Sequence, residues 1–279
     1  MGKKIGVIAK TQSKDAIAVG RRVYRLLLDH QLTPVLDQNL ARTLRAGSGR
    51  SVNAMNVDLI ITLGGDGTVL KAVREMPDNK TPILAVNLGR RGYLTEVEPD
   101  MFEEYFDKWL KGDFQIEEHW RVSVFQNGRH LGDCLNEALL LPKTLDKMVN
   151  VAVDQNGHRV IKARADAFMV ATPTGSTAHS FSAGGPVLET SLDVLVLTMI
   201  APLQPVRSLV VPAGKKLKVT LAEPGPTAML LIDGTPIKPI GLKQSIELKK
   251  SSRNARFVRF GDTFLQRGLV RLSSERENA

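Results

Sequence analysis

The chain has 279 residues, 43% of them hydrophobic and 24% charged, with a net charge of +9 and a single cysteine. That length supports one large domain or two modest ones with their own cores, while the lone Cys134 excludes an intramolecular disulfide and fits the reducing cytoplasm. No apolar run approaches a membrane span, and 5% aromatic content with dispersed basic residues argues for a small anionic ligand rather than a nucleic acid.

Met1-Gly-Lys-Lys leads directly into an apolar strand, Lys4–Ala9, so no signal peptide is expected. The spacing of Ile17, Val23, Leu26 and Leu27 predicts a helix from Ser13 to about His30, and Leu32–Leu36 reads as a second strand. A basic stretch containing Gly47-Ser48-Gly49 is expected to be a mobile loop. Strand Asp58–Leu63, helix Thr68–Glu75 and strand Pro82–Val86 continue the alternation, which predicts a parallel sheet covered by helices on both faces. Ligands of such sheets sit beyond the carboxyl ends of the strands. Two segments fall there: Gly64-Gly-Asp-Gly-Thr68 and Asn87-Leu-Gly-Arg-Arg-Gly-Tyr93.

After about residue 97 the pattern changes. Pro99–Lys111 reads as one amphipathic helix with Phe102, Phe106, Trp109 and Leu110 on its apolar side. Strands then dominate, with Asn127-Gly128 and Asn156-Gly157 as two-residue hairpin signals and further runs at 194–200, 217–221, 229–232, 245–248 and 256–260. The expected class is α/β plus all-β. An N-terminal parallel-sheet α/β domain, 1–96, is completed by a short helix in 262–279, and a mostly antiparallel, β-sandwich-like domain spans 97–261.

Three segments carry candidate chemistry. In Gly64–Thr68 the glycines let backbone N–H groups approach a phosphate, and the helix that follows adds its positive end. An acid there, Asp66, either caps the helix or serves a hydroxyl or a water-held cation. The run Ala171–Pro186 is rich in small hydroxyl residues that suit sugar hydroxyls or adenine edges, or simply cap a helix. Asn136-Glu137 stands inside a β run, where neighbours face opposite sides unless a bulge or strand end intervenes.

In order and spacing, Gly64–Thr68, Asn87–Leu94, Asn136-Glu137 and Asp166–Leu188 resemble the NAD kinases, over most of the chain as far as Ile232-Asp233-Gly234. The resemblance implies Mg²⁺-dependent phosphoryl transfer from ATP or polyphosphate to the 2′-hydroxyl of the adenosine ribose of NAD, giving NADP. It implies that Asp66 is the general base and that Gly64, Gly65, Gly67 and Thr68 form the phosphate-donor loop, with no direct protein ligand assigned to the metal. Asp66, Gly67, Lys71, Asn136, Glu137, Lys147, Arg164, Asp166, Thr177, Ala178, His179, Ser182 and Ala201 are the implied dinucleotide-binding residues. A homodimer or homotetramer is implied, with no nucleic-acid or membrane partner. The sequence departs from the family pattern at His179, usually Tyr, and at Ala167, usually Gly. A lipid kinase shares Gly-Gly-Asp-Gly-Thr but has no need of Asn136-Glu137 or the Thr172–Pro186 block. A non-catalytic dinucleotide sensor would keep the binding residues and could drop the base, yet Asp66 is present.

Overall fold

The computed structural model describes residues 2–77, 80–89, 92–144 and 146–261. The helix expected in 262–279 and the Arg90-Arg91 pair lie outside the described residues. The elements run β1 (Lys4–Ala9), α1 (Lys14–Asp29), β2 (Thr33–Leu36), α2 (Gln38–Leu44), β3 (Leu59–Gly64), α3 (Asp66–Glu75), β4 (Ile83–Asn87), α4 (Phe102–Lys111) and β5 (Gln115–Gln126). They continue β6 (Arg129–Cys134), β7 (Glu137–Pro142), β8 (Val149–Gln155), β9 (His158–Ala171), α5 (His179–Ser182), β10 (Val194–Pro202), β11 (Leu209–Pro212), β12 (Leu217–Leu221), β13 (Ala228–Ile232), β14 (Thr235–Ile240) and β15 (Ser245–Arg259). Two units result: Met1–Glu118 joined by the stretch from Asn254, and His119–Arg253.

The first unit is a parallel sheet in the order β2-β1-β3-β4-β15. Val23 and Leu27 of α1 and Phe102, Phe106 and Trp109 of α4 pack with Val7, Ile61 and Val86 of the strands to form its core. The amphipathic spacing that predicted both helices thus points their apolar stripes at the sheet. Ser13 starts α1 by accepting from the Ala16 amide, and Gly112, at φ 80°, ends α4 in the left-handed conformation that glycine adopts at least cost. Part of the stretch expected as loop is helical. Asp37 accepts from the Asn39 and Leu40 amides and so caps α2, which buries Leu40 and Ala41. The same carboxylate accepts from the Ala9 amide at 3.0 Å, tying the end of β1 to the start of α2.

The second unit is mostly antiparallel. β9 pairs β8 along His158–Ala165 and β7 along Phe168–Ala171, and pairs β10 along its second half. Both Asn-Gly turns take positive φ at both residues (51° and 79°, 49° and 83°), the geometry that matches strand twist in a two-residue hairpin. A third such turn, Asp233-Gly234, joins β13 to β14 at φ 46° and 72°. The class expected from the sequence, α/β followed by mostly antiparallel β, is the one observed. Among the described residues no helix is long and apolar enough to cross a membrane.

Candidate active site

The turn between β3 and α3 is set by two glycines with different duties. A Cβ on Gly64 would stand 2.2 Å from Thr68 Oγ1, so the close strand-to-helix approach requires glycine there. A Cβ on Gly67 would meet nothing within 4 Å: this face of the turn is open. Gly65 occupies the helix cap, and Asp66 is the first helical residue. Its carboxylate accepts from the Tyr93 and Leu94 amides, each at 3.0 Å, so the acid links the turn to the segment after β4. That segment is braced from behind. Arg259, 3% exposed, donates to the Leu94 carbonyl and pairs with Glu96 and Glu117.

Beside the turn is a cavity of about 350 Å³, within the range of small-molecule sites. Gly65, Gly67, Thr68 and Lys71 line it from one side and Lys10, Thr11 and Asn39 from the other. Four of the residues expected at the donor loop or near the phosphates therefore converge. Lys10, Thr11 and Asn39 were missed in the sequence, although the carboxyl end of β1 adjoins that of β3 and is where an α/β sheet binds ligands.

In the second unit Asn136 immediately precedes β7 and Glu137 is its first residue, a strand end that resolves the problem of opposite-facing neighbours. Asp233 holds them: Oδ2 accepts from the Leu135 amide at 2.8 Å, and Oδ1 from the Asn136 and Glu137 amides at 2.8 and 3.2 Å. The hydroxyl-rich block packs against the same turn. The Thr172 amide donates to the Asn136 carbonyl, and a Cβ on Gly175 would lie 2.2 Å from that oxygen. Inside the block Thr172 Oγ1, Ser176 Oγ and Thr177 Oγ1 each donate to backbone carbonyls. Those hydroxyls hold the turn together, while Ala178 is half-buried and His179 and Ser182 are exposed.

Glu137 is 6% exposed, and its Oε2 has no hydrogen-bond partner among the described residues. Burial first, and the neighbouring Asp233 second, push its carboxyl up to about 8. Burial raises Asp233 too, against the pull of its three amide donors. The three amide bonds that Asp233 accepts favour its ionised form, and its charge in turn favours a proton on Glu137. Glu137 is then a neutral acid at pH 7, with an oxygen available to a ligand hydroxyl.

β9 changes character at Asp166-Ala167. Ile161, Ala163 and Ala165 face the main core, but so do Phe168 and Val170, so the alternation slips by one residue between them. The slip coincides with the exchange of β8 for β7 as partner. Opposite it, between Ile200 (paired with Ala167) and Pro202 (paired with Ala165), Ala201 takes φ 44°. The slip leaves Arg164 and Asp166, both exposed, off the main core together with Ala167. Leu139, Ala167 and Met169 form a small cluster there, against which Ala183 packs at the end of the hydroxyl-rich block. Lys147 is exposed in the 143–148 connection, away from these groups' hydrogen bonds among the described residues.

Over nearly its whole length the chain is similar to known proteins. The family model for the ATP-NAD kinase N-terminal domain matches residues 5–114, and that for the ATP-NAD kinase C-terminal domain matches 135–260. The chain is 35% identical over 264 residues to a protein named NAD kinase from Methanosphaera stadtmanae, covering 94% of this chain and 96% of that one. It is 33% identical over 267 residues to an NAD kinase from Methanothermobacter thermautotrophicus, covering 95% and 94%. An NAD kinase structure from Archaeoglobus fulgidus in complex with ATP superposes with a TM-score of 0.74 at 29% identity, covering 91% of this chain and 92% of that one. Yeast NADH kinase complexed with NADH shares the fold, with a TM-score of 0.89 at 19% identity and coverage of 98% and 88%.

Proposed function

The chain belongs to the NAD kinase family, and from that premise we propose that it phosphorylates NAD at the 2′-hydroxyl of the adenosine ribose, forming NADP. The ribose 2′-oxygen bonds to the terminal phosphorus of the donor, and the bridging P–O bond breaks. ADP or a shortened polyphosphate leaves, and the hydroxyl proton passes to Asp66. The observation that carries this reading is the Asp66 carboxylate, fixed by two backbone amides beside a cavity that Gly67, Thr68 and Lys71 line. Phosphoryl transfer needs positioning and charge neutralisation more than covalent chemistry, and a fixed base next to bare backbone and a lysine supplies both.

Glu137 and Asn136 take the adenosine hydroxyls and base, aided by Thr177, Ala178, His179 and Ser182. Arg164, Asp166 and Ala201 line the other end of the dinucleotide, and Lys147 is a further basic contact. The ATP bound to the Archaeoglobus relative supports ATP as donor, with polyphosphate as the second candidate. The residues fit a Mg²⁺ ion delivered on the donor's phosphates. No three His, Cys, Asp or Glu side chains converge among the described residues, and Mg²⁺ is ordinarily held by phosphate oxygens and water with few protein groups. When bound, the ion neutralises phosphate charge. A homodimer or homotetramer is supported by exposed Leu209 and Val210 on β11, which among the described residues pairs only with β10. The lone buried Cys134 supports a cytoplasmic setting.

The test is NADP formation from NAD and Mg²⁺ with ATP and, in parallel, with polyphosphate. Turnover with either donor sustains the reading. NAD binding without turnover would favour a dinucleotide sensor instead.

A further inference from the structure

We infer that the polyphosphate tail of the phosphoryl donor lies between the carboxyl ends of β1 and β3, where Lys10 is a positioning residue opposite Lys71. The inference rests on the kinase reading but turns on Lys10, Thr11 and Asn39, which that reading does not use. Its first support is topological. In the order β2-β1-β3-β4, the connection after β1 runs toward one edge of the sheet and the connection after β3 toward the other. Right-handed crossovers then send the following helices to opposite faces and leave a crevice at this switch point. The 350 Å³ cavity is lined by residues from both of these strand ends.

The second support is charge. Lys10 and Lys71 both line the cavity, neither forms an ion pair among the described residues, and no Asp or Glu is among the lining residues. Asp66, the acid of the adjoining turn, bonds instead to the Tyr93 and Leu94 amides. Two unpaired ammonium groups, the bare backbone at Gly67 and the N-terminal end of α3 together match an extended polyanion. The volume is at the low end for ligand sites, which suits a phosphate chain better than a whole nucleotide.

The third support is rigidity. The Lys10 amide donates to the Leu63 carbonyl at 3.0 Å, and its carbonyl accepts from Ser13 at 2.9 Å. Asp37 ties the Ala9 and Asn39 amides together. Lys10, Thr11 and Asn39 thus stand on a backbone fixed before any ligand arrives, the arrangement that holds down the cost of ordering a phosphate chain.

The experiment pairs direct binding with kinetics on the full chain, using Lys10→Met and Lys10→Arg. Titration of tripolyphosphate by calorimetry reads the site without turnover. Lys10→Met should weaken it about tenfold, the effect of one charge-assisted hydrogen bond, and Lys10→Arg should restore most of it. In steady state the KM for ATP should rise by a similar factor with the KM for NAD and the melting temperature unchanged. Polyphosphate as donor separates the sources. A parallel rise assigns the site to any phosphate chain, and a rise for ATP alone assigns it to the nucleotide's triphosphate. Undetectable tripolyphosphate binding by the parent protein, equal binding by Lys10→Met, or a rise confined to the NAD KM overturns the inference. Failure of the kinase reading would show separately, as tripolyphosphate binding with no NADP formed from any donor.

Discussion

The two small-residue turns, Gly64–Thr68 and Thr172–Ser182, look alike in sequence and differ in what their glycines face. Each follows a buried strand and runs into a helix. Gly67 faces open space beside a cavity, whereas Gly175 is pressed against the backbone of Asn136. Bare backbone in the first turn admits a ligand. In the second it admits another strand end, and the binding role proposed for this block falls to Ala178, His179 and Ser182, which are not wholly buried. A glycine-rich turn is therefore informative only with its neighbour known, because the same absence of Cβ serves approach by substrate or approach by chain.

Substitutions can break this comparison. Asp66→Asn should have the largest effect, lowering turnover roughly 10³-fold, within the range for loss of a general base, while NAD affinity changes by only a few-fold. Single-turnover kinetics beside equilibrium NAD binding check it, and undiminished turnover removes Asp66 from the role of base. Gly175→Ala forces a Cβ into the Asn136 carbonyl, a clash backbone must relieve, and should cost about 3 kcal/mol with loss of NAD binding. Thermal denaturation reads the first and calorimetry the second. Gly67→Ala should fold with an unchanged melting temperature but raise the donor KM about tenfold, since its methyl enters only the ligand's space. If the two alanine variants behaved alike, the contrast between the turns would be lost.

The smallest effect is in pH dependence. Glu137 ordinarily titrates at 4.5 and is pushed up to about 8 in the folded chain. Between these values the folded protein holds a proton that the unfolded chain has released, so stability from this group is fully present below about pH 4.5 and is lost as pH rises through about 8. Glu137→Gln should flatten that decline. Urea unfolding of both proteins from pH 5 to 8 measures the difference, and parallel curves would show that the carboxyl is not held protonated.

Periodicity and turn chemistry made most of the fold legible. The helices 13–30 and 99–111 and both Asn-Gly hairpins follow from local pattern alone. α2 was passed over because Gly47 and Gly49 drew the whole stretch into a loop, although Asp37 followed by Leu40 and Ala41 carries a cap signal. The runs 245–248 and 256–260 belong to one strand, β15, whose polar middle concealed its continuity. In the site, the glycine turn and the Asn-Glu pair could be found by motif. Asp233 could have been flagged only as a turn residue, because its grip on amides 96 to 98 positions away has no local trace. The same holds for Lys10, which is ordinary in sequence and gains meaning from the strand order.

The brace behind Tyr93-Leu94 has a consequence for biogenesis. Arg259 holds the Leu94 carbonyl from 165 positions downstream. At ribosomal rates of about 5–20 residues per second, roughly ten to thirty seconds separate the synthesis of the two. During that interval the strands from β1 to β4 have been made but β15 has not, and the backbone that grips the Asp66 carboxylate lacks its rear support. The first unit is begun before the second and completed after it, so the Asp66 carboxylate is secured only once the strands of the second unit have been translated.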